Sequence, residues 1–429
     1  MTMRAAAAVF AAALAVTASS AYAGTFRVLH VFCAKGGTCA DGEAANDLVM
    51  DRAGNLYGTT NAGGANTWGT VFQLSPGGGG KWTYRVLHSF CHVFTCTDGG
   101  APAAPPIIDA NGNLYGTASA SGAHGNGVVY EMVQNPTTKT WKEKVLYAFC
   151  AKTNCADGSN PQTALTYAGA ASGAPYDGTS PLYGTVTTGS ANGTFKGAVY
   201  ELSPGKGGKW SEQVLYSFCA QDHCSDGATP TPYGALALDT SGNLYGTTQY
   251  GGAANEGVAF ELSPQGSAWS ESVLHDFCAA NDCHDGGPPY ANMIIAPNGS
   301  LIGTTPFGGQ NLQGTIYTLV PGAVPLYSVI YDFCSLALCA DGSYPYSHVT
   351  LDPSGNMYGT AEQHGRTDDG IVFELNGGLH VLHNFCTKSG CPDGQFPQGA
   401  LVRDGSGNLF GTTQEGGTHE HGVIFEIAR

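Results

Sequence analysis

Charged side chains are scarce in this sequence. Asp, Glu, Lys and Arg together make up 12% of its 429 residues, and the charged runs that favour helices are missing. Glycine is abundant instead, at 63 residues, which is typical of many short strands joined by turns. The composition therefore predicts an all-β protein.

Positive charge is the scarcer of the two signs. The chain has 17 Lys and Arg residues against 33 Asp and Glu residues, which gives a net charge of −16. Nucleic-acid binding needs basic stripes, and anionic membrane surfaces attract basic segments. Neither is therefore an expected partner, and we interpret the acidic surface as an aid to solubility.

The signatures of several enzyme classes are also missing. The sequence has no G-x-S-x-G nucleophile elbow, no P-loop and no H-E-x-x-H metal motif. We therefore expect no cofactor, and a binding role is favoured over a catalytic one.

Long apolar runs are confined to the N-terminus. Arg4 precedes the stretch AAAAVFAAALAV, and AYA before Gly24 fits a small-x-small cleavage site. This pattern predicts a signal peptide over residues 1–23 and a mature chain over residues 24–429. The apolar stretch is too short to be a transmembrane span, and no later stretch is long enough. We therefore expect a secreted or periplasmic protein with no membrane span in the mature chain.

Cysteine is well represented, with 14 residues. They fall into seven local pairs at a nearly fixed spacing, and an even count in an exported chain predicts disulfides. The alternative, a zinc site, would need C-x-x-C knuckles or closely paired histidines, and neither recurs. The predicted disulfides are Cys33–Cys39, Cys91–Cys96, Cys150–Cys155, Cys219–Cys224, Cys278–Cys283, Cys334–Cys339 and Cys386–Cys391.

The cysteine pairs mark a tandem repeat. Aligned on the first cysteine of each pair, the copies begin 52 to 69 residues apart, a period that indicates a propeller or a solenoid. Each copy contains four short runs rich in Val, Leu, Tyr and Phe, bounded by Gly, Pro, Asn or Ser. In the fourth copy these runs are GALALD, NLYGTT, VAFEL and VLHDF. Four antiparallel strands per copy make one propeller blade.

The two ends of the mature chain predict a closed ring. The chain begins with FRVLHVFC, a fourth strand without the first three, and it ends with GVIFEIAR, a third strand without a fourth. If these ends pair, they complete the seventh blade and leave no bare sheet edge. We therefore expect one domain, a closed seven-bladed β-propeller with four antiparallel strands per blade, whose last blade is completed by the N-terminal strand.

The repeat pattern NLYGTT..GG....G.VFEL resembles the GloVer-type tandem repeat of exported bacterial proteins. The resemblance covers essentially all of the mature chain. It implies an exported, propeller-like protein, and it implies no particular activity.

In such a propeller both distinctive loops lie on one face. The fourth strand of a blade is outermost, so each cysteine loop leads from the rim of one blade to the centre of the next. The loop between the second and third strands lies at the same end. We therefore expect a ligand on this face, around the mouth of the central channel.

One candidate on that face is the aspartate of C-x-D-G, which occurs in every copy. It has two interpretations: a ring of carboxylates around a cation, or a turn residue whose side chain accepts backbone N–H groups. The turn interpretation is favoured because the aspartate recurs in every blade, which indicates a requirement of folding rather than a single binding site. The residues are Asp41, Asp98, Asp157, Asp226, Asp285, Asp341 and Asp393.

The other candidate is a cluster that breaks the symmetry of the repeat. The loops between the second and third strands of blades six and seven are EQHGRTDDG and QEGGTHEHG, whereas those of blades one and three carry almost no charge. Histidine and carboxylate side chains suit a transition metal or acid–base chemistry. The alternative is a solvated surface, because H-E-H lacks the i, i+4 spacing of helical zinc sites. The cluster comprises His364, Arg366, Asp368, Asp369, Glu415, His419, Glu420 and His421.

These features favour a binding module for an extracellular glycan or protein, and we expect it to be a monomer. One alternative is a metal-assisted propeller enzyme of the lyase or lactonase type, with calcium or a transition metal at the channel mouth. The other alternative is a structural protein of the cell surface or matrix.

Overall fold

The computed structural model of the chain describes residues 24–34, 37–93, 95–193, 196–280 and 282–429. The predicted signal peptide, residues 1–23, lies outside them. The described residues form 29 strands, which build seven antiparallel sheets. The predicted fold class is confirmed: the protein is all-β, and each sheet is one blade of a seven-bladed propeller.

The blades follow one another along the chain, after an opening strand that belongs to the last blade, β1 (Thr25–Val31). Blade one contains β2 (Glu43–Met50), β3 (Leu56–Ala62), β4 (Thr70–Pro76) and β5 (Trp82–Ser89). Blade two contains β6 (Ile107–Ile108), β7 (Leu114–Ala118), β8 (Val128–Gln134) and β9 (Trp141–Ala148). Blade three contains β10 (Ser159–Pro161), β11 (Leu182–Thr188), β12 (Ala198–Pro204) and β13 (Trp210–Ser217).

The first strand of blade four is divided into two pieces. That blade contains β14 (Ala228–Pro230) and β15 (Ala237–Leu238), both paired with β16 (Leu244–Tyr250), then β17 (Val258–Gln265) and β18 (Ala268–Asp276). Blade five contains β19 (Ile294–Ile295), β20 (Leu301–Thr305), β21 (Thr315–Val320) and β22 (Leu326–Asp332). Blade six contains β23 (Thr350–Leu351), β24 (Met357–Ala361), β25 (Ile371–Leu375) and β26 (Leu379–Asn384). Blade seven contains β27 (Val402–Arg403), β28 (Leu409–Thr412), β29 (Val423–Ala428) and β1.

Helical structure in the described residues is limited to short 3-10 turns. Within the described ranges, no helix has the length and apolar character that crossing a bilayer requires. The turns span Gly78–Gly80, Thr153–Cys155, Ala170–Ser172, Lys206–Gly208, Asp222–Cys224 and Ala337–Cys339.

The seventh blade joins the two ends of the chain, as the sequence predicts. β1 pairs antiparallel with β29, from Thr25 opposite Ala428 to Val31 opposite Val423. Blade seven also packs on blade one, where Ile424 shares a buried cluster with Leu48 and other apolar residues of blade one. The ring is therefore closed.

The first strands line the axis of the ring. A Cβ placed on Gly234 of blade four would lie 3.4 Å from the backbone nitrogen of Asn292 in blade five and 3.5 Å from Nδ1 of His348 in blade six. Three successive blades approach one another this closely only at the centre of a ring. The first strands are therefore innermost, and the fourth strands form the rim.

The regular part of most first strands is shorter than the sequence pattern predicts. In six blades the paired segments contain two or three residues, against six to nine in the fourth strands. Residues near the axis bond across to the neighbouring blade instead of extending their own sheet. Thr59 Oγ1, for example, donates to the Ala104 carbonyl at 3.0 Å, and Thr304 Oγ1 donates to the Ser347 carbonyl at 2.9 Å.

The hydrophobic core lies between the blades. In each of seven clusters, buried residues of one blade pack against buried residues of the next. The second-strand glycine of L-[YIF]-G-T is required for this packing. A Cβ on Gly303 would lie 2.3 Å from the hydroxyl oxygen of Tyr317, whose ring covers the glycine from the third strand.

A β-bulge in every fourth strand turns one side chain toward the next blade. In blade one, Val86 and His88 lie opposite the consecutive residues Phe72 and Val71, so Leu87 is the extra residue. Consecutive strand residues point to opposite faces, so Val86 and His88 do so as well. The same register shift occurs in the other six blades. It presents the His or Tyr of V-[LI]-[HY]-x-F to the following blade.

Blade three carries an insertion between its first and second strands, over residues 167–181. Tyr176 in this insertion exchanges backbone hydrogen bonds with Ile108 and Ala110 of blade two. The turn Ala170–Ser172 lies on the other side, against β15 of blade four, and borders a cavity of about 280 Å³ that His348 of blade six also lines. The insertion therefore lies over the axis, at the end opposite the cysteine loops.

Candidate functional site

The disulfide loops and the loops between second and third strands form one face, which we call the cysteine face. All seven predicted disulfides are present. In six blades a glycine N–H of the second-to-third-strand loop donates to the carbonyl of the second cysteine. These bonds are Gly64 to Cys39, Gly122 to Cys96, Gly252 to Cys224, Gly309 to Cys283, Gly365 to Cys339 and Gly417 to Cys391, at 2.8 to 3.0 Å.

The aspartates of C-x-D-G lie beside the outermost strands rather than around the channel. Each aspartate is hydrogen-bonded to the His or Tyr at the bulge of the fourth strand that precedes its loop. Each also accepts a hydrogen bond from a backbone N–H of its own loop. In blade two, Tyr147 donates to Asp157 Oδ2 at 2.8 Å, and the Ala151 N–H donates to the same oxygen at 2.9 Å. This is the geometry of a turn residue. The pairs are His30–Asp41, His88–Asp98, Tyr147–Asp157, Tyr216–Asp226, His275–Asp285, Tyr331–Asp341 and His383–Asp393.

The blade-six half of the predicted histidine–carboxylate cluster lies against the disulfide loop that precedes blade six. His364 Nδ1 is 2.6 Å from Ser343 Oγ. Arg366 and Asp368 are exposed beside a cleft of about 740 Å³ that Ala337–Ala340 also line. Burial, followed by the charges of Asp368 and Asp393, raises the pKa of Asp369.

The blade-seven half lies apart from it and faces blade one. His421 Nδ1 is 2.8 Å from Glu43 Oε2, whereas Glu415, His419 and Glu420 are exposed. In the described part of the chain, no hydrogen bond or ion pair joins the side chains of one half to those of the other.

The predicted cluster also lacks a complete set of metal ligands in the described residues. Asp369 and His421 are its members that fall in groups with metal-binding spacing, and each group is completed by a cysteine pair. Those cysteines form disulfides, and a disulfide sulfur is not the thiolate that binds metals.

Aromatic rings gather on the cysteine face beside the axis, in blades four to six. The ring centroids of Tyr290 and Tyr346 are 5.3 Å apart and nearly perpendicular, and Phe307 contacts both Tyr346 and Tyr344 at 6.2 and 5.6 Å. Tyr233 is 36% exposed and Tyr250 is 51% exposed, and they extend the group into blade four. We call these residues the mouth cluster: Tyr233, Tyr250, Tyr290, Phe307, Tyr344 and Tyr346.

Carboxylates and an amide border the mouth cluster. Glu362 Oε1 accepts a hydrogen bond from Gln398 Nε2 at 2.7 Å, and Asp47 Oδ1 accepts the Ala400 N–H at 2.8 Å. Burial raises the pKa of Asp47 to about 6. Burial, and then the charges of Asp47, Tyr290 and Glu362, raises the pKa of Tyr233, so these groups share one location at the channel mouth.

The charge pattern of the repeats does not reveal the mouth cluster, although the sequence carries another signal for it. In blades four, five and six, the run between C-x-D-G and the first strand contains Pro-Tyr, at 232–233, 289–290 and 345–346. The corresponding runs of the other blades lack it. A comparison of the copies by aromatic residues, in addition to charge, would therefore have located the asymmetry.

Two solved structures show a distant likeness to the chain. The Trypanosoma rangeli sialidase in complex with the inhibitor DANA is 12% identical with a TM-score of 0.41, and the match covers 82% of this chain and 56% of the sialidase. A mutant of AofleA from Arthrobotrys oligospora is 9% identical with a TM-score of 0.41, over 83% of this chain and 89% of AofleA. The chain thus spans little more than half of the sialidase. Among curated proteins, none matches the sequence.

The repeats themselves are described by a family model. The model of the Gloeobacter/Verrucomicrobia repeat matches residues 15–180 and 170–425. These ranges include nearly all of the described residues and every blade, and they confirm the resemblance seen in the repeat pattern. The chain therefore belongs to the Gloeobacter/Verrucomicrobia repeat family.

Proposed function

We propose that the protein is a glycan-binding module that acts outside the cytoplasm, with its site at the mouth cluster. The observation that carries the proposal is the set of half-buried aromatic rings beside Asp47, Glu362 and Gln398 at one end of the channel. The seven disulfides fit an oxidising compartment.

This combination of side chains suits the chemistry of a sugar. A pyranose ring has apolar C–H faces, which pack on aromatic rings, and an edge of hydroxyl groups. Carboxylates accept hydrogen bonds from hydroxyls, whereas an amide both donates and accepts them. A largely apolar surface with a few fixed polar groups is the usual composition of a ligand site.

The position of the cluster supports a single site. Three of the seven blades supply its aromatic residues, so the sevenfold symmetry of the propeller is broken at one place. Its residues lie next to the innermost strands, where Tyr233 N donates to the Tyr290 carbonyl at 3.3 Å and the Asn292 N–H donates to the Tyr233 carbonyl at 3.0 Å. These bonds between blades hold the rings in fixed relative positions, which lowers the entropy cost of binding.

Binding is tested by presenting a glycan array to the mature protein produced with its disulfides intact. The best glycan is then titrated calorimetrically against the wild type, Tyr290→Ala and Tyr346→Ala. We expect each substitution to weaken binding about tenfold or more, which corresponds to about 1.4 kcal/mol. Glu362→Gln should weaken binding as well, since it replaces a hydrogen-bond acceptor.

The matched control is Trp68→Ala. Trp68 is an aromatic residue on the cysteine face of blade one and is 41% exposed, but it lies outside the mouth cluster. Its loss should leave glycan affinity unchanged. A protein that binds no glycan on the array, but retains an extracellular protein through the same tyrosines, would refute the glycan proposal in favour of protein binding.

A further inference from the structure

A separate group of polar side chains lies at the rim, where blade one meets blade two. It consists of His88 on β5, His92 and Asp98 on the disulfide loop that follows, and Glu143 on β9 of the next blade. Asp98 Oδ2 is 2.7 Å from His92 Nδ1 and 3.2 Å from His88 Nε2. The ligand atoms of these three residues all lie within 4.8 Å of one another.

The carboxylate at the centre of this group is buried and incompletely bonded. Asp98 is 3% exposed, and its Oδ1 accepts no hydrogen bond from the described residues. In other copies the equivalent oxygen is satisfied by the loop: the Lys152 N–H donates to Asp157 Oδ1 at 3.1 Å, and the Leu336 N–H donates to Asp341 Oδ1 at 3.1 Å. A buried carboxylate oxygen without a partner is costly, so this position favours a bound cation.

Glu143 adds a second incompletely bonded carboxylate. Its Oε1 is buried and accepts no hydrogen bond from the described residues, as is also true of the equivalent Glu212 and Glu271. Burial, and then the charge of Asp98, raises the pKa of Glu143 to about 7, whereas the charge of His92 opposes the shift, so Glu143 lies within electrostatic range of both side chains.

The next junction along the ring has a lysine beside the equivalent glutamate. Between blades two and three, the equivalent glutamate, Glu212, pairs with Lys152 Nζ at 2.7 Å. At the junction of blades one and two, Val93 occupies the position of that lysine, and His92 stands where the other copies have Ala, Ser or Thr. This junction therefore lacks the lysine ammonium group. An imidazole stands at the preceding position instead, and the His92 side chain is 55% exposed and accessible from solvent.

We propose that His88, His92 and Asp98 form a site for one divalent transition-metal ion, with Zn²⁺ as the best match and Glu143 as a nearby carboxylate outside the ligand group. Two imidazole nitrogens with carboxylate oxygens are a common donor set for Zn²⁺, whereas Ca²⁺ takes oxygen ligands. The ion would connect β5 of blade one to the disulfide loop that leads into blade two. This site lies on the rim and does not depend on the proposed glycan site.

The test is a calorimetric titration of ZnCl₂ into tag-free mature protein, treated with chelator and with its disulfides intact. We expect one Zn²⁺ per chain, a visible absorption band when Co²⁺ replaces it, and a higher melting temperature with Zn²⁺. His92→Ala should weaken Zn²⁺ binding at least tenfold and abolish the thermal shift, and Glu143→Gln should weaken binding less, since Glu143 lies outside the ligand group. His92→Ala introduces the residue found in blades two to four, so this variant is expected to fold.

His284→Ala is the matched control. His284 lies in the disulfide loop of blade four, where it pairs with the exposed Asp282. Its substitution should leave Zn²⁺ affinity unchanged. The proposal is overturned if the wild type binds no Zn²⁺, or if His92→Ala binds it as tightly as the wild type.

Discussion

At the scale of single residues, the backbone of the cysteines is unusual. All 14 have positive φ values, between 41° and 64°, in the left-handed region. Side chains with a Cβ disfavour that region by roughly 1 to 2 kcal/mol per residue. The disulfides therefore stabilise loops whose backbone would suit glycine better than any other residue.

This geometry predicts an order of stability for variants that lack one disulfide. The double variant Cys150→Gly/Cys155→Gly should be more stable than Cys150→Ala/Cys155→Ala by about 1 to 2 kcal/mol. Both variants lose the same crosslink, and the left-handed penalty of alanine, roughly 1 to 2 kcal/mol at each position, exceeds the extra entropy that each glycine loses, roughly 0.5 to 1 kcal/mol. Urea unfolding of the two variants measures the difference.

A nearby position with ordinary backbone geometry supplies the control. Ala156 has φ −64°, so Ala156→Gly should lower the free energy of unfolding. Equal stability of the two double variants would contradict the account of the cysteine loops.

At the scale of the strand, the fourth strands carry buried glutamates whose surroundings differ. Burial, and then the charges of Asp226 and Asp276, raises the pKa of Glu271 on β18 to about 8. Its Oε1 is buried without a hydrogen bond from the described residues. The folded protein therefore keeps this proton over a pH range in which the unfolded chain releases it.

The raised pKa of Glu271 fixes the sign of a pH effect. The unfolded carboxyl ionises near pH 4.5 and the folded one near pH 8, so the contribution of Glu271 to stability falls as pH rises across this window. Glu271→Gln cannot ionise. The melting temperature of this variant relative to wild type should therefore increase from pH 5 to pH 8 and then level off.

The equivalent glutamate of blade three is the control. Glu212 is paired with Lys152, and this ion pair opposes the effect of burial on the pKa of Glu212. Glu212→Gln should therefore gain less stability between pH 5 and pH 8 than Glu271→Gln. The same gain in both variants would show that the ion pair has no effect on the pKa of Glu212.

The sequence predicted strand order better than it predicted which loops meet. The incomplete strands at the two ends of the chain indicated the pairing of β1 with β29, because an unpaired edge of a blade is unfavourable. The histidine–carboxylate loops of blades six and seven occupy adjacent positions, but each bonds to the disulfide loop that precedes its blade or to blade one. The mouth cluster is formed by residues next to the axis, where three blades meet. The spacing of the repeats along the chain does not reveal that these residues are close in space.

At the scale of the whole molecule, closure of the ring depends on one strand. Phe26, Val28 and Val31 of β1 pack against the buried cluster that blades six and seven share. Arg27 Nε donates to Glu426 Oε2 at 2.5 Å, and Glu426 is 3% exposed. The Arg27 side chain is 42% exposed, but its removal would leave the buried Glu426 carboxylate without a cation, so β1 contributes both apolar and ionic stabilisation.

A variant that lacks residues 24–31 should therefore have an incomplete seventh blade. We expect a loss on the order of 5 kcal/mol, because three apolar side chains contribute roughly 1.5 to 3 kcal/mol each when buried. A synthetic peptide of residues 24–31 should restore the melting temperature by adding the missing strand to the edge of β29. The same peptide with Arg27→Glu should restore less, since it places a second negative charge beside Glu426. If the shortened chain melts like the wild type and ignores the peptide, the blades form a stable open array, and stability comes from neighbouring blades alone rather than from closure of the ring.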